Sequence, residues 1–166
     1  MTPDMGNLRA CRPADLPEML AAINDAARAY RGVIPPDCWH EPYMAAAELE
    51  QELAAGVSFI CSEENDRIAG LMGRQFVREV WLIRHAYVRM ESQRRGIGAG
   101  MLRRLLQEAG RPLLVGTWAA ADWAIRFYQK HGFRPQSPAE SSRLLKAYWN
   151  IPDRQVETSV VLVLKP

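Results

Sequence analysis

Tyr87-Val88-Arg89-Met90-Glu91-Ser92-Gln93-Arg94-Arg95-Gly96-Ile97-Gly98-Ala99-Gly100-Met101-Leu102 joins an apolar run to a polar loop, and three alternating glycines then lead into a second apolar pattern. Ile97, Met101, Leu102, Leu105, Leu106 and Ala109 recur at helical spacing, which predicts a helix over 96–109 stopped by Gly110 and Pro112. The first amides of a helix have no partner within it and sit at the positive end of its dipole. With no Cβ at Gly96, Gly98 and Gly100, a large anion can approach that backbone, and Arg94 and Arg95 add charge beside it. The ligand expected here is a phosphate or pyrophosphate. A P-loop would place Lys-Ser/Thr after its glycine, whereas Met101 follows Gly100. A dinucleotide fingerprint would place its third glycine where Met101 stands. The remaining alternative is that the glycines serve only close helix–sheet packing.

Upstream, 57–62, 68–77 and 80–88 read as strands of an antiparallel meander, with 63–67 as a polar turn. Before them, 8–12 is a short strand. Asp15 is the expected N-cap of a helix carrying Leu16, Met19, Leu20, Ile23, Ala26 and Ala27, closed by Gly32 and Pro35-Pro36. A second helix is expected over 41–55, with Gly56 as its stop. Downstream, 113–117 is a buried strand, 122–131 a helix followed by Gly132, and Phe133 starts another strand. Residues 137–153 form a polar excursion with a helical stretch at 142–147, and 156–164 is a closing strand. The order predicts a mixed α/β chain whose first half is largely antiparallel.

A chain of 166 residues suits one domain, expected to span 1–166. No run of apolar residues is long enough for a membrane span, and the N-terminus lacks a leader pattern. The three cysteines, Cys11, Cys38 and Cys61, are scattered and contain no CxxC pair, so neither a metal site nor a disulfide framework is expected. These features suggest a reducing, cytoplasmic compartment. The net charge of +2 conceals an asymmetry: residues 1–73 hold 5 basic against 12 acidic residues, and 74–111 hold 9 against 3. A basic segment invites an anionic partner. Nucleic acid fits poorly, because that segment lacks interleaved aromatic stacking residues.

Gln93-Arg94-Arg95-Gly96-Ile97-Gly98 matches the Q/R-x-x-G-x-G/A signature of the GNAT superfamily of N-acetyltransferases. Ala124-Ile125-Arg126-Phe127-Tyr128-Gln129-Lys130-His131-Gly132-Phe133 resembles the family's second block, A-I-x-F-Y-x-K-x-G-F, at the expected distance. The resemblance implies an α/β (α+β) fold. Its mixed, mostly antiparallel twisted sheet would have about seven strands, flanked by about four helices and splayed between the fourth and fifth strands. It implies acetyl-CoA as co-substrate and no metal. Carried over, Ala86, Tyr87 and Val88 would hold the pantetheine and acetyl carbonyl. Arg94, Arg95, Gly96, Ile97, Gly98 and Ala99 would hold the pyrophosphate through backbone amides. Tyr128 matches the tyrosine that protonates the departing thiolate, a step suited to a phenol of pKa near 10 facing a thiol near 8.5. The alternative for Tyr128 is a core aromatic beside Phe127.

Two positions depart from the family pattern. Ala121 stands where an asparagine often contacts the pantetheine, and Gly116 where many members carry a glutamate base. Glu79 and His85 are replacements that could act through a water, unless the amine arrives neutral. The resemblance implies an amine acceptor, a small molecule or peptide, met by 30–43 and 137–155, where Tyr30, Trp39, His40, Glu41, Tyr43, Tyr148, Trp149 and Asn150 lie. Neither nucleic acid nor membrane is expected as partner, and a homodimer stays open. The competing functional reading is a non-catalytic acyl-CoA-binding module.

Overall fold

Apolar residues alternating along 57–88 produce three consecutive strands, β2 (Ser58–Glu64), β3 (Arg67–Val77) and β4 (Val80–Val88). They follow β1 (Leu8–Ala10), α1 (Leu16–Ala27) and α2 (Ala46–Ala54), and precede α3 (Ile97–Glu108) and β5 (Leu113–Trp118). The chain continues through α4 (Asp122–Lys130), β6 (Arg134–Pro135), α5 (Pro138–Tyr148), α6 (Asp153–Glu157) and β7 (Ser159–Leu164). The computed structural model describes residues 7–165. Residues 1–6, on which the reading of the N-terminus rests in part, lie outside them. Strand order in the seven-stranded sheet is β1-β2-β3-β4-β5-β7-β6. The described residues divide into two compact units.

One unit comprises the chain up to Ala29, Glu41–Gln75 and Arg84–Ala109. Here β1 and β2 pair antiparallel, as do β2 and β3, the latter from Ser58↔Arg74 to Glu64↔Arg67. Asn65 and Asp66, both left-handed at φ 51° and 61°, close that hairpin in two residues, so the expected polar turn at 63–67 is mostly strand. The apolar stripe of α1 (Met19, Ala22, Ile23) meets Leu49 of α2 and Val57, Phe59, Cys61, Ile68 and Leu71. Each large side chain fully buried there stabilises the fold by about 1.5–3 kcal/mol relative to exposure.

The two helix starts in this unit are set by other contacts than capping bonds. Asp15 stands at the N-cap of α1 as expected, but its carboxylate makes no capping bond to the helix; it accepts from Arg12 N at 2.7 Å and from the Arg9 guanidinium at 2.7 and 2.9 Å, closing the 3-10 turn Pro13–Asp15. The second helix begins at Ala46 rather than at 41. The Asn24 amide engages both Met44 N (2.8 Å) and Met44 O (2.9 Å), so the backbone there is tied to α1 instead of to a helical turn.

The other unit comprises Tyr30–His40, Phe76–Ile83 and Gly110–Pro166. Its β4 residues pair in parallel with β5, Trp81↔Leu113, Leu82↔Leu114 and Ile83↔Val115. This parallel pair covers three residues, which fits a splay between the fourth and fifth strands. β5 and β7 run antiparallel over six pairs, and the two-residue β6 lies along β7. Val80, Leu82, Leu114, Leu144, Leu145, Val156 and Val161 form the core.

The described residues hold six α-helices rather than about four. The stretch read as a polar excursion is the eleven-residue α5, with Ser137 Oγ accepting from Glu140 N at 3.1 Å and Pro138 in the first turn. Pro152 opens α6, its carbonyl accepting from Gln155 N and Val156 N. β7 therefore starts at Ser159, three residues later than expected.

Candidate active site

The loop after β4 is anchored on both sides. Arg89, buried, donates from Nε to Ile68 O at 2.7 Å and from Nη2 to Glu18 at 3.1 Å. Met90 N donates to Asp25 Oδ2 at 2.8 Å, and Arg95 pairs with Glu64 at 2.8 Å. Between these anchors Arg94 (φ 65°) and Gly96 (φ 80°) are left-handed. Alternation of left- and right-handed residues turns successive N–H groups toward one concavity, a nest for an anion. Gly96 is also the N-cap of α3, where no side chain caps the helix. Ile97, Gly98 and Ala99 occupy its first turn. The bond Gly100 N to Gly96 O at 2.9 Å is the first of the helical ladder, so the three preceding amides have no acceptor among the described residues. The Arg95 side chain is paired with Glu64, and Arg94 has no ion-pair partner among the described residues.

Ala86, Tyr87 and Val88 end β4, half-buried, with the Tyr87 ring edge-on to Tyr43 at 6.5 Å. Just before them, His85 is left-handed at φ 56°. Its Nε2 lies 2.6 Å from Glu52 Oε2, the oxygen that Arg84 Nη2 also meets at 2.6 Å. The hydrogen bond from His85 holds the Glu52 carboxyl below its ordinary range, with the Arg84 charge adding to the effect.

In the second unit Tyr128 is buried on α4, its ring packed edge-on against Phe127 (5.1 Å) and Phe133 (5.5 Å). Burial pushes its phenol above the ordinary value, so it stays protonated at neutral pH. The core-aromatic and proton-donor readings of Tyr128 are therefore compatible: the ring packs, and the oxygen has no protein partner among the described residues. Glu79, the other candidate base, is taken up by the Tyr148 hydroxyl, and Arg78 lies 4.7 Å over the Tyr148 ring. A Cβ at Gly116 would stand 3.4 Å from both Leu145 Cδ2 and Trp149 Cζ2, so packing occupies the space where a longer side chain would go. Ala121 is fully buried at the N-cap of α4.

The sequence profile described as "Acetyltransferase (GNAT) domain" matches residues 21–146. The chain belongs to the GNAT acetyltransferase family. A PaiA N-acetyltransferase from Thermoplasma acidophilum, crystallised with coenzyme A, superposes on this GNAT chain with a TM-score of 0.70 at 14% identity, covering 96% of this chain and 98% of that one. A ribosomal-protein-alanine N-acetyltransferase from Brucella melitensis superposes with a TM-score of 0.66 at 18% identity, covering 96% and 99%. A longer protein from Pyrococcus horikoshii matches at TM-score 0.61 and 22% identity, the chain spanning 43% of its length. No curated protein matches the sequence. GNAT membership makes acetyl-CoA the co-substrate. Among the described residues no group of three or more His, Cys, Asp or Glu side chains could hold a metal. No helix of the described residues is long and apolar enough to cross a membrane.

Tyr30 stacks on Trp123 at 5.9 Å, and Arg154 pairs with Asp37 at 2.8 Å. Tyr148 closes α5 rather than lying in a loop. The Glu52–His85 contact was missed by sequence reasoning: its partners are 33 residues apart, and no local signal joins them.

Proposed function

We propose that residues 1–166 form one acetyltransferase domain that moves an acetyl group from acetyl-CoA to a primary amine of a small molecule or peptide by direct attack. The observation that carries this is the set of unbonded amides at Ile97, Gly98 and Ala99, framed by left-handed Arg94 and Gly96. These amides, with those of 94–96, bind the pyrophosphate. Ala86, Tyr87 and Val88 hold the pantetheine and the acetyl carbonyl, whose developing negative charge is stabilised by backbone N–H groups. Tyr128 donates its proton to the thiolate as the C–S bond breaks. Free Cys11, Cys38 and Cys61 fit a reducing cytoplasm.

Mixing the protein with acetyl-CoA and, separately, spermidine, benzylamine and a hexapeptide with an N-terminal alanine tests this by release of free thiol. The peptide is included because the Brucella neighbour is named for a ribosomal-protein alanine. Thiol release from at least one acceptor is expected, and Tyr128→Phe lowers kcat by about 10²-fold while the Kd for CoA stays within about twofold. CoA bound without thiol release from any of the three would support the competing reading, a non-catalytic binding module. That reading draws on Gly116, where no carboxylate stands.

A further inference from the structure

In a regular strand, neighbouring side chains point to opposite faces. Arg84 and His85 are consecutive in β4, yet both reach the same oxygen, Glu52 Oε2, each at 2.6 Å. The left-handed His85, at φ 56°, breaks the alternation and brings the imidazole round to the α2 side. A non-glycine residue in that region persists only where its surroundings over-determine it, and such positions cluster at sites of chemistry. The surroundings here do over-determine it. Arg84 holds Glu52 with Nη2 and Gln75 Oε1 with Nη1 at 2.8 Å, and the His85 ring lies 6.2 Å from Phe59 at an interplanar angle of 29°. Gly73 lets the Arg84 carbonyl come so near that a Cβ there would stand 2.7 Å from it.

Among the described residues, the charged groups that meet the ring are Glu52 from α2 at 2.6 Å and Arg84 on β4 at 3.5 Å; β2 contributes Phe59, which does not titrate, and β3 contributes Gln75, which holds Arg84. Glu52, ionised, accepts from Nε2, so Nε2 carries the ring proton and the lone pair sits on Nδ1. His85 directly precedes Ala86, the first residue assigned to the thioester, and Glu52 reaches it from α2.

We propose that His85 is the proton acceptor for the incoming amine and that Glu52 is its positioning residue. This rests on the acetyltransferase reading. The ammonium nitrogen gives one proton to His85 Nδ1, which passes it to water. The neutral amine forms the C–N bond as the C–S bond breaks. The second proton shed by nitrogen replaces the one Tyr128 gives to the thiolate. The sum is ammonium plus thioester giving amide, thiol and one released proton.

The test is kcat and KM against pH for wild type, His85→Gln and Glu52→Gln, with acetyl-CoA and the three acceptors named above, alongside CoA affinity by calorimetry. Glutamine at 85 keeps a donor for Glu52 but cannot accept the proton; His85→Asn serves if that variant does not fold. The expected result is a loss in kcat of about 10²-fold and of the acidic limb in His85→Gln, at unchanged CoA affinity. In Glu52→Gln kcat falls while KM and CoA affinity hold, because the imidazole loses the partner that fixes its orientation. A His85→Gln enzyme with wild-type kcat and an intact acidic limb overturns the proposal and leaves the acetyltransferase reading standing. A wild-type kcat in Glu52→Gln overturns the positioning role. A wild type that releases no thiol with any acceptor overturns both readings together.

Discussion

Gly73→Ala measures how tightly β3 supports the bend in β4. The added Cβ would meet Arg84 O at 2.7 Å, Val57 Cγ1 at 2.8 Å and Phe59 Cε1 at 2.9 Å. A flexible side-chain tip can swing away from such an encounter, but the carbonyl of Arg84 is backbone, inside β4 and followed by a left-handed residue. Overpacking of this kind typically destabilises by about 1–3 kcal/mol, and three simultaneous contacts place Gly73→Ala in the upper part, about 2–3 kcal/mol. With a urea m-value of about 2 kcal/mol/M for a chain of this size, the midpoint falls by about 1–1.5 M. Tryptophan fluorescence during urea titration reads it directly. Gly116→Ala is the control: its Cβ would meet Leu145 and Trp149 at 3.4 Å, an ordinary contact distance, and its midpoint shifts by less than about 0.3 M. Equal midpoints for the two variants would refute the claim that β4 crosses β3 this closely at Gly73.

Gly96→Ala puts a Cβ on a residue at φ 80°, at about 1 kcal/mol, and raises the Kd for CoA by roughly fivefold to tenfold; calorimetry giving the wild-type affinity counts against pyrophosphate binding there. Ser141→Ala removes the acceptor of Val161 N (3.0 Å) and the donor to Gln136 O (3.4 Å) inside the second unit's core, lowering stability by about 1–3 kcal/mol in the same urea assay. A variant as stable as wild type would show those backbone groups finding other partners. Asp15 is held at about 2, below its ordinary 3.8, mainly by its hydrogen bonds from Arg9. A depressed folded-state value stabilises the fold above the ordinary carboxylate range, and the benefit disappears as pH falls through about 2. The midpoint gap between wild type and Asp15→Asn is therefore wide at pH 5 and closes between about pH 4 and pH 2. A gap independent of pH would remove the ion-pair explanation.

Local patterns announced most of the elements. The spacing of Ile97, Met101, Leu102 and Leu105 put α3 within one residue of its bounds, and the alternation in 80–88 did so for β4. α5 was under-read although Ser137, Pro138 and Glu140 carry an N-terminal signature, because its apolar face is narrow and only Leu144 and Leu145 are large and buried. α2 was over-extended because Met44 has the right spacing for a helix, while its amide and carbonyl are claimed by Asn24, twenty positions away. The glycine-led start of α3 was legible because glycine spacing is a backbone signal. The His85 conformation was not: histidine enters the left-handed region more readily than most residues, but no turn signal surrounds it, and Glu52, Arg84 and Phe59 meet it only in the folded chain.

Trp149 and Leu145 already stand at contact distance from where a Cβ on Gly116 would be, so position 116 takes a methyl group but leaves little room for a longer side chain. Installing a glutamate there would require the indole to leave, whereas trimming the indole first would leave a void beside β5 until a longer side chain arrived. Either intermediate is less stable than its parent, so the two substitutions must come together. An engineer wishing to graft a carboxylate there would therefore have to redesign the end of α5 along with β5.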